Sequence, residues 1–179
     1  MQGLPANIKV SYLLGGLAPD SNEPMPKAMQ ENIASYWHKI QAHIPGTSFN
    51  FDFWDKCQPR RSTYPACRAV IAAKNQAQKN EYTMISAVQE AYYLHAKNPS
   101  NDDTLVTLAE TLGLDKERFI ADLNSPETQQ QLNAEISFSQ KIGAQGFPSL
   151  ILEKEGRYQF VPIDYNDSTV ALKFILNSK

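Results

Sequence analysis

The two cysteines of this 179-residue chain, Cys57 and Cys67, are the first residues to test for chemistry. Nine residues separate them, whereas a dithiol redox motif places two residues between its thiols, so they do not form one. A disulfide between them requires Cα atoms within about 7 Å. The simpler reading makes Cys67 a small buried hydrophobe near a helix start and Cys57 a partly exposed thiol. The next cluster is Arg60-Arg61-Ser62-Thr63, just ahead of Tyr64-Pro65. Two guanidinium groups beside the open N–H groups of a helix start form a candidate anion site at Arg60, Arg61 and Ser62. The competing reading is a solvated basic corner paired with Asp52 or Asp55. His38 and His43 lie five apart on one helix and so do not share a face, and no carboxylate cluster joins His95, so no metal set is expected. Asp102-Asp103 and Glu153-Lys154-Glu155 read as helix-start and turn charges, and the aromatics Phe51, Phe53, Trp54, Tyr92 and Tyr93 as core.

The elements that must position these residues follow from periodicity. Asn7–Leu14 alternates apolar and polar residues and is rich in β-branched and aromatic types, which predicts a strand ending at Gly15-Gly16. Met29, Ile33, Trp37 and Ile40 recur at helical spacing from Pro26 to the Pro45-Gly46 break. From about residue 63 to 142 the pattern is helical, interrupted at Asn98-Pro99 and Gly113, with Val70, Ile71, Met84, Ile85, Val88, Tyr92, Leu132, Ile136, Phe138 and Ile142 expected inward and Phe119, Ile120 and Leu123 carried on the helix that Asp115 caps. Phe147–Leu152 then reads as a strand, Glu153–Gly156 as a turn, Arg157–Val161 as its partner strand, and a last helix begins at Asp167 or Ser168.

Composition supports a folded domain. Apolar residues make up 42% and charged residues 20%, with a net charge of −2. That balance, without any basic block, argues against nucleic-acid binding, and no apolar run approaches the roughly 20 residues of a membrane helix. The first residues lack the charged start and apolar stretch of a secretory signal, so a cytoplasmic location is expected.

The stretch Ile142-Gly143-Ala144-Gln145-Gly146-Phe147-Pro148-Ser149-Leu150-Ile151-Leu152 resembles the cis-proline loop of thioredoxin-like proteins, in particular the DsbA family. Leu14-Gly15-Gly16-Leu17-Ala18-Pro19, the Ser62–Ala69 helix start and the long helical stretch match the same relatives. The resemblance implies an α/β, thioredoxin-like fold with a large α-helical insertion. The chain would form a single domain, with 1–24 and 143–179 as the sheet part and about 63–142 as the insertion. It also implies that Phe147, Pro148 and Ser149 present main chain to an extended substrate. The residues alone leave Pro148 two roles, a cis turn or a trans strand entrance, and Gly146 before it with a hairpin after it favours cis.

The same resemblance exposes a gap. That family opens with a strand and a Cys-x-x-Cys helix, and this chain has no Cys-x-x-Cys; its first strand corresponds to the family's second. The expected fold therefore lacks the first β–α unit, either because the chain is a shortened form, the favoured account, or because it is a redox-dead variant. Direct pairing of the remaining strands, or a homodimer through the exposed sheet edge, is expected to compensate. The implied activity is that of a thiol–disulfide oxidoreductase or isomerase acting on protein or peptide thiols, with no dithiol turnover by these 179 residues. The alternatives are a glutathione-dependent isomerase or transferase, with Arg61 near the glutathione, and a non-catalytic peptide-binding module.

Overall fold

The computed structural model describes Leu4, Pro5, residues 7–144 and residues 146–178. They fall into two compact units: residues 16–133, and residues 1–15 with 134–179.

The first unit is helical. Helix α1 (Lys27–His43) follows Pro26, α2 (Asp52–Lys56) is a short turn, and α3 (Tyr64–Gln76) carries Pro65 in its first turn. Helices α4 (Asn80–Tyr93), α5 (Asp102–Thr111) and α6 (Lys116–Leu123) follow, and α7 (Pro126–Lys141) starts here. The hub is α3, which packs on α4, α5 and α6. Ala69, Ala72 and Ala73 are fully buried beside Val70 and Ile71, and such small side chains let neighbouring helices approach closely. Met84, Leu105, Phe119, Leu123 and Leu132 complete this core. Phe138, expected inward, is instead exposed, because it stands beside the helix face that packs. Asp115 caps α6, its carboxylate accepting the Arg118 N–H at 2.9 Å. A second cluster gathers on Trp37, whose ring stacks on Phe49 at 4.9 Å and meets Phe53 and Tyr92.

The second unit holds strands β1 (Ile151–Lys154) and β2 (Arg157–Phe160), antiparallel with Ile151 opposite Phe160 and Lys154 opposite Arg157. Glu155 and Gly156 both have left-handed φ angles (53° and 76°), the two-residue turn whose twist suits a hairpin. Val161 N–H donates to the Leu150 carbonyl at 2.8 Å and lengthens the hairpin by one bond. Helix α8 (Thr169–Asn177) closes the chain, with the Thr169 N–H donating to the Asp167 carboxylate at 2.9 Å. A hydrogen bond from the Thr169 side chain, and then this N–H, hold the Asp167 carboxyl below its ordinary pKa.

Two expected strands differ from what forms. Residues 7–14 join no ladder among the described residues, and the sheet is β1–β2 alone. Alternation supplies strand propensity, but a strand exists only where a neighbour pairs with it. The expected direct pairing of this segment with the remaining strands therefore does not occur. The ladder after Pro148 begins at Ile151 rather than Phe147, because residues 146–148 form a bend and proline has no N–H to donate.

Candidate functional site

Helix α7 ends where Gly143 takes a left-handed φ of 90°. The Gly143 N–H donates to the Gln140 carbonyl and the Ala144 N–H to the Ser139 carbonyl, both at 3.0 Å, which satisfies the last turn and sends the chain away from the helix. The Phe147–Pro148 peptide is cis, the conformation the sequence favoured. Ser149 Oγ donates to the Gly146 carbonyl and fastens the turn.

Phe147 is 50% exposed, and among the described residues no hydrogen bond engages its main-chain N–H or C=O. Its ring lies directly over Gly15: a methyl group on Gly15 would sit 1.6 Å from the Phe147 Cε1. The Leu14 N–H donates to Glu135 Oε2 of α7 at 2.8 Å, which fixes the approach of that segment. The dipeptide Gly15-Gly16 thus has a steric reason that the sequence did not reveal: residue 15 must leave room for an aromatic ring.

Of the arginine cluster, Arg60 and Ser62 line the polar cleft that Arg68 also borders, and Arg61 is not among its lining residues. Arg60 Nη2 donates to the Ser100 carbonyl and, at 2.9 Å, to Asn101 Oδ1. The Ser62 carbonyl accepts from Ser100 Oγ at 2.6 Å, and Ser62 Oγ accepts from the Ser21 N–H. Arg60 and Ser62 therefore staple neighbouring loops, while Arg61 is exposed with its guanidinium 3.9 Å from Met29 Sδ. Asp52, one of the two carboxylates of the competing reading, pairs with Lys56 at 2.6 Å.

The residue that sequence reasoning missed is Arg68. It is 6% exposed, forms a two-pronged pair with Asp20 at 2.7 and 3.0 Å, and also donates to Gln129 Oε1 at 2.9 Å. The pair borders a polar cleft of about 460 Å3. The available signal was a lone charge inside the apolar run Cys67–Ala73, since arginine is almost never fully buried without a partner.

Neither cysteine takes part in a disulfide, and both are half-buried. Cys57 Sγ donates to the Ala96 carbonyl at 3.1 Å, and burial pushes its thiol above the ordinary pKa, with Lys97 opposing in part. That is the reverse of an activated nucleophile.

A hairpin after a cis-proline turn, joined to a helical insertion, defines a thioredoxin-like fold. The thioredoxin family model matches residues 5–160. The chain belongs to the thioredoxin family. A candidate protein disulfide isomerase of Nitrosomonas europaea shares the fold, with a TM-score of 0.76 and 23% identity over 88% of this chain and 76% of that one. The cytosolic disulfide reductase DsbM of Pseudomonas aeruginosa gives 0.71 at 23% identity over the same shares. The ClpXP adapter protein SpxH of Bacillus subtilis strain 168 is 29% identical over 125 residues, 69% of this chain and 42% of that protein. The chain thus spans about two-fifths of the length of that curated relative. No helix among the described residues is long and apolar enough to cross a membrane.

Proposed function

We propose that this chain binds extended protein segments at Phe147-Pro148-Ser149, and that its 179 residues do so without dithiol turnover. The observation that carries the reading is the exposed cis turn whose Phe147 main chain has no partner among the described residues. An extended peptide can satisfy such groups by main-chain hydrogen bonds, and alternate side chains then supply selectivity. Cys57 and Cys67 lack the spacing for intramolecular exchange, and the raised pKa of Cys57 disfavours its thiolate. An adapter and a cytosolic disulfide reductase among the relatives support a cytoplasmic chain that handles other proteins.

The test combines binding and turnover. Fluorescence anisotropy with labelled unfolded peptides should show saturable binding, weakened about tenfold by Pro148→Ala, as expected for the loss of one or two main-chain hydrogen bonds of about 1 kcal/mol each. Insulin reduction should stay at the uncatalysed rate. Binding unchanged in Pro148→Ala refutes the site, and robust insulin reduction refutes the absence of turnover.

A further inference from the structure

We propose that the polar cleft of the helical unit binds a small zwitterion, its carboxylate held by Arg60 and the start of α5 and its ammonium by Asp103. The cleft has a volume of about 460 Å3, within the roughly 300–1,000 Å3 of small-molecule sites, and its lining lies wholly within residues 16–133. At its start, α5 leaves the N–H groups of Asp102, Asp103 and Thr104 without an acceptor among the described residues. Asn101, in the capping position, could accept from one of them, but its Oδ1 is taken by Arg60 Nη2 at 2.9 Å. A second observation concerns the arginines. Arg60 and the 6%-exposed Arg68 each keep a buried Nε–H with no partner among the described residues, although buried donors are nearly always paired. Both side chains line this cleft. An acceptor seated there answers open main-chain donors and unpaired guanidinium donors together.

Charge decides what kind of acceptor that is. Arg68 is neutralised by its two-pronged pair with Asp20, which leaves Arg60 on a cleft that Asp102 and Asp103 also line. The Arg60 guanidinium meets only neutral acceptors, the Ser100 carbonyl and Asn101 Oδ1, so its charge stays available to a carboxylate. A simple anion would gain Arg60 and the helix start but meet two aspartates at the same place. Asp102 Oδ2 accepts from Asn124 Nδ2 at 2.6 Å, whereas the exposed Asp103 carboxylate has no partner among the described residues. A ligand that carries an ammonium beside its carboxylate turns that repulsion into attraction. Free amino acids and short peptides have this chemistry. The cleft uses no residue of the Phe147 turn, so the proposal stands apart from the peptide-binding reading.

Isothermal titration calorimetry of the full chain at low salt should show saturable binding of the dipeptide alanylalanine. Its N-acetyl form lacks the ammonium and its amide lacks the carboxylate. Each should bind about tenfold more weakly, the scale of one charge-assisted hydrogen bond. Alanine, run beside them, separates a free amino acid from a short peptide as the source. Asp103→Asn breaks no side-chain contact among the described residues and should erase the difference between the dipeptide and its N-acetyl form. Arg60→Gln should erase the difference between the dipeptide and its amide. Saturating dipeptide should leave a labelled unfolded peptide on the Phe147 turn undisplaced. The proposal is overturned by no saturable binding of either zwitterion, by an N-acetyl form that binds as well as the dipeptide, or by an Asp103→Asn chain that still tells the two apart. Displacement of the labelled peptide would place the dipeptide at the Phe147 turn and overturn it too.

Discussion

Residues 16–133 and the unit formed by residues 1–15 with 134–179 come from one chain but reach stability differently. Every described buried apolar side chain except Val161 belongs to residues 16–133. There, helices pack around Ala-rich α3 and close their own core. The other unit has a two-stranded hairpin, a helix with no buried residue and, among the described residues, a segment 7–14 outside any ladder. A lone hairpin is marginal in water, because two strands cannot bury a face by themselves. The difference teaches that the helical region is self-sufficient, while the sheet region is an offer of surface and edge to something else.

The largest expected effect tests that contrast directly. Phe119 is fully buried, and Phe119→Ala should cost about 3–5 kcal/mol in urea unfolding, the usual cost of an aromatic-sized cavity. Phe160→Ala, at a half-exposed position, should cost less than about 1 kcal/mol. Equal losses at the two positions would break the comparison.

Next in size is the Arg68–Asp20 pair, a polar anchor between helix α3 and a loop. Asp20→Asn leaves a buried guanidinium with a neutral partner, at a cost of about 1–2 kcal/mol. The figure sits below that of a fully buried pair because the Asp20 side chain is 54% exposed and screened by solvent. Unfolding at low and high salt should show the wild-type advantage shrinking as salt rises. A cap sharpens the scale further: Asp115→Ala should lower stability by about 1 kcal/mol, through loss of the bond to the Arg118 N–H.

Cys57 supplies a pH test within the same unit. Burial raises its thiol pKa, with Lys97 pulling the other way, so the thiolate forms at higher pH in the folded chain than in the unfolded one. Alkylation by iodoacetamide in a Cys67→Ala background should therefore have its midpoint above that of the urea-unfolded chain. A midpoint below it would mean that Lys97 outweighs burial, and Cys57 would return as a candidate nucleophile.

How far the sequence carried follows the same division. Helical periodicity, the Pro26 and Pro65 starts, the Asp115 cap and the Glu155-Gly156 turn are local signals, and each element they mark is present. The cis bond at Pro148 was legible because small residues before it and a hairpin after it constrain one short stretch. What failed was non-local. Alternation in Asn7–Leu14 could not announce that no ladder partner lies beside it. Arg60 could not announce that Ser100 and Asn101, forty residues away, would occupy it. Arg68 looked like an ordinary helical charge until Asp20 and Gln129 were found against it.

The smallest expected change in stability sits at Gly15, and it asks the most specific question of the sheet unit. An alanine there meets the Phe147 ring, yet the clash falls on the far end of a half-exposed side chain that can rotate away. The rotamer strain is about 0.5–1.5 kcal/mol, and the reduced freedom of the unfolded chain offsets about 0.4–1 kcal/mol of it. Gly15→Ala should thus leave stability within about 1 kcal/mol of wild type while displacing the ring beside the peptide-binding turn. Peptide affinity should then change more than folding does. The double variant with Phe147→Ala isolates the cause: without the ring, the alanine has nothing to displace, and its effect on affinity should vanish. If Gly15→Ala changes affinity equally with and without Phe147, the contact is not what links residue 15 to the loop, and the turn binds peptide, if at all, without that ring.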